Sequence, residues 1–428
     1  RREVNAMAYW FEDPMLRSLL PLSISSSIKG LTNIFNVPKM IVGSNVFPSG
    51  ISIGPSTIDT LSARSPKKRA FIVTDQFSKR FAKKIVPFLE NGGFTCETWE
   101  KCLPEAPIEN VEECGEAMKA FEPDLILALG GGSVIDSAKV AWILYERPDI
   151  TDVCMVSPLD KLELRKKAIL AAVPTTSGTG SECTGAAVVH DTAAHRKIPL
   201  ANDELLPDVA ILSPEFTYTM PPELTAGTGL DVLAHAMDAV TMPAAYELTD
   251  PLALKSIEMV FRWLPRVYRE GRDREARHRM LLASSMAGIA FGMSGAHLTH
   301  AFGHSLGAAF ELHHGMTVGF FVPHCLQYCS PVTDKYLLIC DALKVGGEAP
   351  EERLANLVAK VRALLTELGV PLTIQGLGIS EADFEANIDK LVEYSAGDIS
   401  SLLSPRPVTP TQCEKIFRYA YEGKDIDF

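Results

Sequence analysis

The chain of 428 residues is long enough for two or three domains and a large core, and its formal net charge is −12. That acidic balance excludes a broad nucleic-acid or anionic-membrane footprint, since both require clustered positive charge. With 46% apolar and 22% charged residues, the composition also excludes disordered and collagen-like classes. A large soluble protein, with the composition of an enzyme, is what remains.

The first residues, RREVNAMAYWFEDPM, are charged and lack an apolar core, so no signal peptide is expected. LRSLLPLSISSSIKGLTNIF (16–35) is amphipathic and carries no motif. From KMIVGSN (39–45) onward, short apolar runs alternate with helical spacing. RAFIVTD (69–75) reads as a buried strand and the residues to Gly93 as an amphipathic helix closed by glycines. DLILALGGG (124–132) is a strand entering a glycine turn, with SVIDSAKVAWILY the helix behind it. AILAAVPTTSGTGSE (168–182) is a strand ending in a small-residue loop, and AAVVHD and PDVAILS read as further strands. This alternation predicts an α/β domain with a mostly parallel sheet over residues 1–222. Beyond Pro222 strand runs are scarce and helical spacing dominates, which predicts an all-α domain over 223–428. Met280–Leu298 contains no Asp, Glu, Lys or Arg, but its Gly, Ser and Ala content fits a helix buried on all sides rather than a membrane span.

The nine cysteines form no CxxC pair, which favours a reducing cytoplasm over a disulfide framework. Cys325 and Cys329, near His324, fit small buried residues on one helix face better than a second metal site.

Two loops have ligand-binding character. Gly130, Gly131 and Gly132 lie between a strand and a helix, where backbone can approach a ligand and free N–H groups bind an anion such as a pyrophosphate. The loop Pro174–Glu182 offers the hydroxyls of Thr175, Thr176 and Thr179, and equally reads as a helix N-cap. Asp75, at a strand end, could accept from a ribose 2′-hydroxyl and repel a 2′-phosphate, or cap the next helix.

Eight of the ten histidines fall between positions 235 and 324. Asp231 and His235 are four apart on a predicted helix, as are His300 and His304, so each pair shares a helix face. A carboxylate with several imidazoles on otherwise apolar helices suits Fe(II) or Zn(II), because burying such groups without a partner is costly.

In combination GGGSVIDSAK (130–139), PTTSGTGSE (174–182), GLDVLAHAMDAV (229–240), HAFGHSLG (300–307) and HHG (313–315) resemble the iron-dependent (group III) alcohol dehydrogenases. The resemblance runs over roughly residues 38–420 and leaves 1–37 unmatched. It implies an N-terminal dinucleotide-binding α/β domain, a C-terminal helical metal-binding domain, and an active site in the cleft between them. The implied metal ligands are Asp231, His235, His300 and His314, with iron as the metal and zinc compatible with the same donors. His304 would stand near nicotinamide and substrate as the proton-relaying catalytic residue, with His313 structural. Gly131, Gly132 and Ser133 would bind pyrophosphate, with Asp136 supporting that loop. Thr175, Thr176, Thr179 and Lys197 would contact the cofactor, and Asp75 at the adenosine ribose implies NAD. Phe291 and His297 would shape the substrate pocket. Asp238 stands where a Glu is usual, Ser213 where an Asp often precedes Pro, and GMSGAHLTH (292–300) introduces His297 in place of the usual Asn-Ala.

The implied reaction is reversible hydride transfer between NAD(H) and a small primary alcohol or aldehyde, in a cytoplasmic homodimer or higher homo-oligomer without nucleic-acid or membrane partners. KMIVGSN would be the strand that pairs across the dimer. A lyase like dehydroquinate synthase shares the architecture but needs Lys and Arg for its anionic substrate, and Gly292–Gly319 contains neither. A non-enzymatic module of a bifunctional polypeptide is the third reading.

Overall fold

Apolar runs buried on both faces become the centre of one parallel sheet in the computed structural model, which describes residues 9–23, 35–47, 55–194 and 196–428. The strands are β1 (Lys39–Val42), β2 (Arg69–Asp75), β3 (Thr95–Cys102), β4 (Leu125–Gly130), β5 (Ile169–Pro174), β6 (Ala186–Asp191), β7 (Arg196–Ala201) and β8 (Val209–Leu212). Six of them pair in parallel in the order β1-β8-β5-β4-β2-β3, while β6 and β7 form a separate antiparallel hairpin. AAVVHD is therefore a strand, as expected, but outside the parallel sheet. Every residue of β4 and β5 is buried, which accounts for their unbroken apolar character. β3 is an edge strand and mostly exposed, so TCETWEKC does not read as a strand.

The helices are α1 (Pro14–Ser23), α2 (Thr57–Ser62), α3 (Lys79–Asn91), α4 (Ile108–Phe121), α5 (Gly132–Glu146), α6 (Pro222–Thr241), α7 (Asp250–Arg269), α8 (Arg274–Ser294), α9 (Leu298–Phe310), α10 (His314–Cys329), α11 (Tyr336–Ala342), α12 (Pro350–Glu367), α13 (Glu381–Gly397), α14 (Ile399–Leu402) and α15 (Pro410–Glu422). The chain divides into two compact units, one of Asn36–Thr219 with the segment ending at Asp13, the other of Met220–Phe428 with the segment beginning at Pro14. α1 is thus grouped with the helical unit, while residues 24–34 of the amphipathic stretch lie outside the described residues.

In the first unit Ile72, Leu127, Val173 and Ile211 build the core on one side of the sheet. In the second, α6 is buried continuously from Thr225 to Thr241 and packs through Leu230, Leu233 and Val240 against Ile257, Leu264 and Val322. A helix without a solvent face must satisfy its own polar residues internally, which makes Asp231, His235 and Asp238 conspicuous. The charge-free stretch after Met280 belongs to α8 and is mostly buried; α8 and α9 meet at a 108° bend. No single helix among the described residues is long and apolar enough to cross a membrane.

Candidate metal and cofactor sites

In the first unit the two ligand-binding loops meet where the sheet reverses its direction of growth. From β2 the chain goes to β3 on one side, then returns to β4 on the other, so the ends of β2 and β4 flank a topological switch point. Asp75 ends β2, and the glycine turn follows β4, with Gly131 as N-cap and Gly132 as first residue of α5. The first N–H groups of such a helix start have no partner within the helix and can bind an anion. A Cβ on Gly132 would lie 2.6 Å from Cγ2 of Thr179, so only glycine lets the Pro174–Glu182 loop pack this closely. Thr175 anchors the contact: its N–H donates to the Gly130 carbonyl at 2.9 Å, and its hydroxyl lies 3.2 Å from that of Ser78. Thr176 and Thr179 remain partly exposed.

Asp136 is bonded to the second loop and to the hairpin, accepting from the Ser181 hydroxyl at 2.6 Å and the Val188 N–H at 3.0 Å. Lys139, which nothing in the spacing of GGGSVIDSAK singles out, performs the larger bracing task. Its buried Nζ donates to the carbonyls of Ser181 (2.7 Å), Thr184 (2.8 Å) and Ala186 (2.6 Å), and to the Ser181 hydroxyl (2.9 Å). Lys139→Met would leave those carbonyls without their donor and Asp136 without a nearby cation. The expected loss is about 3–5 kcal/mol of stability, read by urea unfolding, with weaker ADP-ribose binding.

Asp75 does cap its turn: Oδ1 accepts from the N–H groups of Phe77 (2.8 Å) and Ser78 (2.5 Å). Ser133 Oγ accepts from the Glu105 N–H at 3.0 Å, and the Glu105 carboxylate pairs with Lys197 Nζ at 2.7 Å. Lys197 is thereby tied, through Glu105, to the first turn of the glycine-loop helix.

In the second unit α6, α9 and the start of α10 converge on one buried carboxylate. Asp231 Oδ1 lies 3.7 Å from His235 Nδ1, 3.9 Å from His300 Nε2 and 3.4 Å from His314 Nε2. Asp231, His300 and His314 form the one group among the described residues whose His, Cys, Asp or Glu ligand atoms lie within 4.8 Å of one another. Glycine permits the approach of α10, because a Cβ on Gly315 would sit 2.2 Å from the Gly227 carbonyl oxygen of α6. The neighbouring His313 packs its ring on Gly227, in keeping with a structural part. His235 is held between rings, stacked on Phe291 with centroids 4.0 Å apart and on His300 at 4.5 Å.

Asp231 Oδ1, His235 Nδ1 and His300 Nε2 are buried without a hydrogen-bond partner, an arrangement that is costly unless a cation joins them. Two metal–ligand bonds of about 2.1 Å meeting tetrahedrally span about 3.4 Å, so the spacing fits a divalent ion. Charge agrees with geometry. Burial would raise the Asp231 carboxyl, but the surrounding imidazoles hold it well below the usual range. Burial pushes His235 down to about 3 and His314 down to about 4, leaving neutral rings with lone pairs to donate. Burial would also lower His300, yet the hydrogen bond and charge of Asp238 raise it instead.

His304 stacks on His314 with centroids 5.1 Å apart, and its Nδ1 lies 2.9 Å from Oδ2 of Asp398. Nothing in the sequence links Asp398 to a histidine 94 positions earlier. His297, expected at the substrate pocket, is buried beside Thr241 and Asp238. Cys325 and Cys329 are buried within the apolar core.

Residues 48–214 match the family described as iron-containing alcohol dehydrogenase, and residues 225–421 match the C-terminal part of the Fe-containing alcohol dehydrogenase family. An NADPH-dependent butanol dehydrogenase of Clostridium saccharobutylicum is 35% identical over 384 residues, covering 89% of this chain and 98% of that one. A bifunctional aldehyde-alcohol dehydrogenase of Escherichia coli is 34% identical over 389 residues, 84% of this chain but 43% of that longer protein. The structure of an iron-containing alcohol dehydrogenase from Thermococcus thioreducens aligns over 91% of this chain and 100% of that chain, with a TM-score of 0.80 and 28% identity.

Proposed function

This chain belongs to the iron-containing alcohol dehydrogenase family, and from that premise we propose that it interconverts small primary alcohols and aldehydes with NAD(H) and a divalent metal. The observation that carries the reading is the set of buried, unpartnered atoms on Asp231, His235 and His300, with His314 closing the group. Those four side chains would hold the ion; iron is the family's metal, and zinc suits the same oxygen and nitrogen donors. When bound, the ion supplies Lewis acidity toward the substrate oxygen and the nicotinamide cofactor supplies or accepts the hydride.

Gly131, Gly132 and Ser133 present the helix start to the pyrophosphate, and Asp136 with Lys139 keeps the threonine loop against it. Thr175, Thr176, Thr179 and Lys197 are the side chains we assign to the cofactor. Asp75 would accept from the adenosine 2′-hydroxyl and repel a 2′-phosphate, which makes NAD rather than NADP the cofactor of this chain. Phe291, stacked on His235, walls the substrate pocket with an apolar face. His304 Nε2 takes the proton of the alcohol during oxidation and returns it during reduction, while Asp398 holds Nδ1.

None of the nine cysteines is joined in a disulfide among the described residues, in keeping with the reducing compartment expected from their spacing. β1, at an edge of the sheet, is the surface we assign to pairing with a second copy of the chain.

The test is oxidation of NADH and NADPH by anaerobically purified protein against a panel of short aldehydes, with Fe(II) added or a chelator present. Metal-dependent turnover favouring NADH is expected. Asp75→Gly should shift the preference toward NADPH by about 10-fold or more, the scale of one repulsive charge pair at a partly exposed site. Better use of NADPH by the wild type would overturn the Asp75 assignment. Absence of turnover despite bound metal and NADH would favour the lyase.

A further inference from the structure

Two departures from the family's pattern, Asp238 and His297, lie 59 positions apart in the chain and touch in the structure. Asp238 stands on α6 one turn beyond His235 and is 1% exposed. Its Oδ2 accepts from the His297 backbone N–H at 2.8 Å, from the Thr299 hydroxyl at 2.5 Å, and from His300 Nδ1 at 3.0 Å. Its Oδ1 lies 3.4 Å from His297 Nε2. A buried carboxylate with so many donors is satisfied as an anion.

The hydrogen bonds also decide which ring nitrogens carry protons. Asp238 Oδ2 is acceptor-only as a carboxylate, so the neutral His300 ring that could bind a metal carries its proton on Nδ1 and its lone pair on Nε2, the atom that faces Asp231. Thr299 Oγ1, 3.0 Å from the same Nδ1, gives its own hydrogen to Asp238 and favours the same tautomer. The Thr241 hydroxyl donates to the Met237 carbonyl at 2.9 Å, so at 2.7 Å from His297 Nε2 it acts as acceptor. The proton of His297 is therefore on Nε2, turned toward Thr241 and Asp238, with Nδ1 left as a buried nitrogen without a hydrogen-bond partner.

We propose that Asp238 and His297 form a positioning pair for the metal centre: Asp238 sets the tautomer, orientation and donor strength of His300, and His297, braced by Thr241, fixes Asp238. The inference rests on the reading of Asp231, His235, His300 and His314 as the ligands. A carboxylate behind a metal-binding imidazole strengthens its donor nitrogen, and losing such a partner typically weakens metal binding 10–100-fold. His297 thus belongs to the support of the centre rather than to the substrate pocket, and the pair accounts for both departures together.

The experiment uses the full chain, stripped of metal, in four forms: wild type, Asp238→Asn, His297→Ala and the double variant. Zn(II) affinity is read by competition with a chromophoric chelator, and the ligand field by the visible absorption of the Co(II) form. Asp238→Asn should weaken Zn(II) binding about 10–100-fold and shift the Co(II) bands. His297→Ala keeps the backbone N–H to Asp238 and should weaken binding by a smaller factor. The double variant should lose no more than Asp238→Asn alone, the non-additivity of residues acting through one contact. Wild-type affinity and an unchanged Co(II) spectrum in Asp238→Asn would overturn the pair, as would additive losses in the double variant. If Asp238→Asn does not fold, His297→Ala decides alone, a measurable loss supporting the pair and wild-type affinity overturning it. A wild type that binds neither Zn(II) nor Co(II) would instead overturn the metal reading itself, and the pair with it.

Discussion

Asp231→Ala, purified anaerobically, is expected to retain about a tenth or less of the wild-type bound metal and to turn over at least ~10³-fold more slowly. The size of the effect follows from charge. Asp231 is the one carboxylate of the four proposed ligands, and its Oδ1 is the atom about which the three imidazole nitrogens gather at 3.4–3.9 Å. Burial keeps His235 and His314 neutral, so without Asp231 a divalent ion would enter a buried site with no anionic ligand, offset only by Asp238 behind the His300 ring. Losing several kcal/mol of transition-state stabilisation corresponds to the stated factor in rate. His235→Ala should lose metal as well, and in addition the ring on which Phe291 stacks. Metal analysis by mass spectrometry checks both, beside circular dichroism to show that the fold persists. Chelation of the wild type should lower its unfolding midpoint toward that of Asp231→Ala, because a ligand at about 10³ times its Kd adds about 4 kcal/mol. Full metal retention in either variant would remove that residue from the ligand set.

The legibility of these features in the sequence depends on how local the physics is. Strands β2, β4 and β5 are buried on both faces, and an uninterrupted apolar run such as LILALG is the direct imprint of that two-sided burial. β3 and β7 escape the apolar pattern because an exposed edge strand and a half-buried hairpin strand carry charged side chains, as in TCETWEKC and RKIPLA. The spacing of Asp231 and His235 is a property of a single helix, so it can be read directly. Lys139 looks like any helix lysine, because its acceptors are backbone carbonyls of a distant loop that no side chain announces. The place of His297 beside Asp238 and Thr241 is hidden for a related reason. It is the N-cap residue of α9, and only the path of the chain from α8 into α9 turns its ring toward Asp238 and Thr241. Asp398 lies at the junction of α13 and α14, and its partner His304 is on α9, a pairing made by helix packing alone.

His304→Ala should keep its metal and lose turnover by about 10²–10⁴-fold, the usual range for removing a positioned acid–base group. Two observations separate this histidine from the ligands around it. Its Nδ1 is engaged by Asp398 at 2.9 Å, whereas His235 Nδ1 and His300 Nε2 are buried without a hydrogen-bond partner. The Asp398 carboxylate, whose other oxygen accepts from the Ser400 N–H at 2.8 Å, is itself fixed by a helix start and cannot follow a reoriented ring. Holding the hydrogen on Nδ1 leaves Nε2 as the nitrogen able to accept the alcohol proton. Asp398→Asn keeps an acceptor for Nδ1 but replaces a charge-assisted hydrogen bond with a weaker neutral one. A smaller loss than in His304→Ala, about 10-fold, is therefore expected, again without loss of metal. Steady-state kinetics with a short aldehyde and NADH, run beside metal analysis of each variant, gives both readouts. A fall of less than about 10-fold in His304→Ala would transfer the proton step to a ribose hydroxyl of the cofactor, and unchanged turnover would remove His304 from the chemistry.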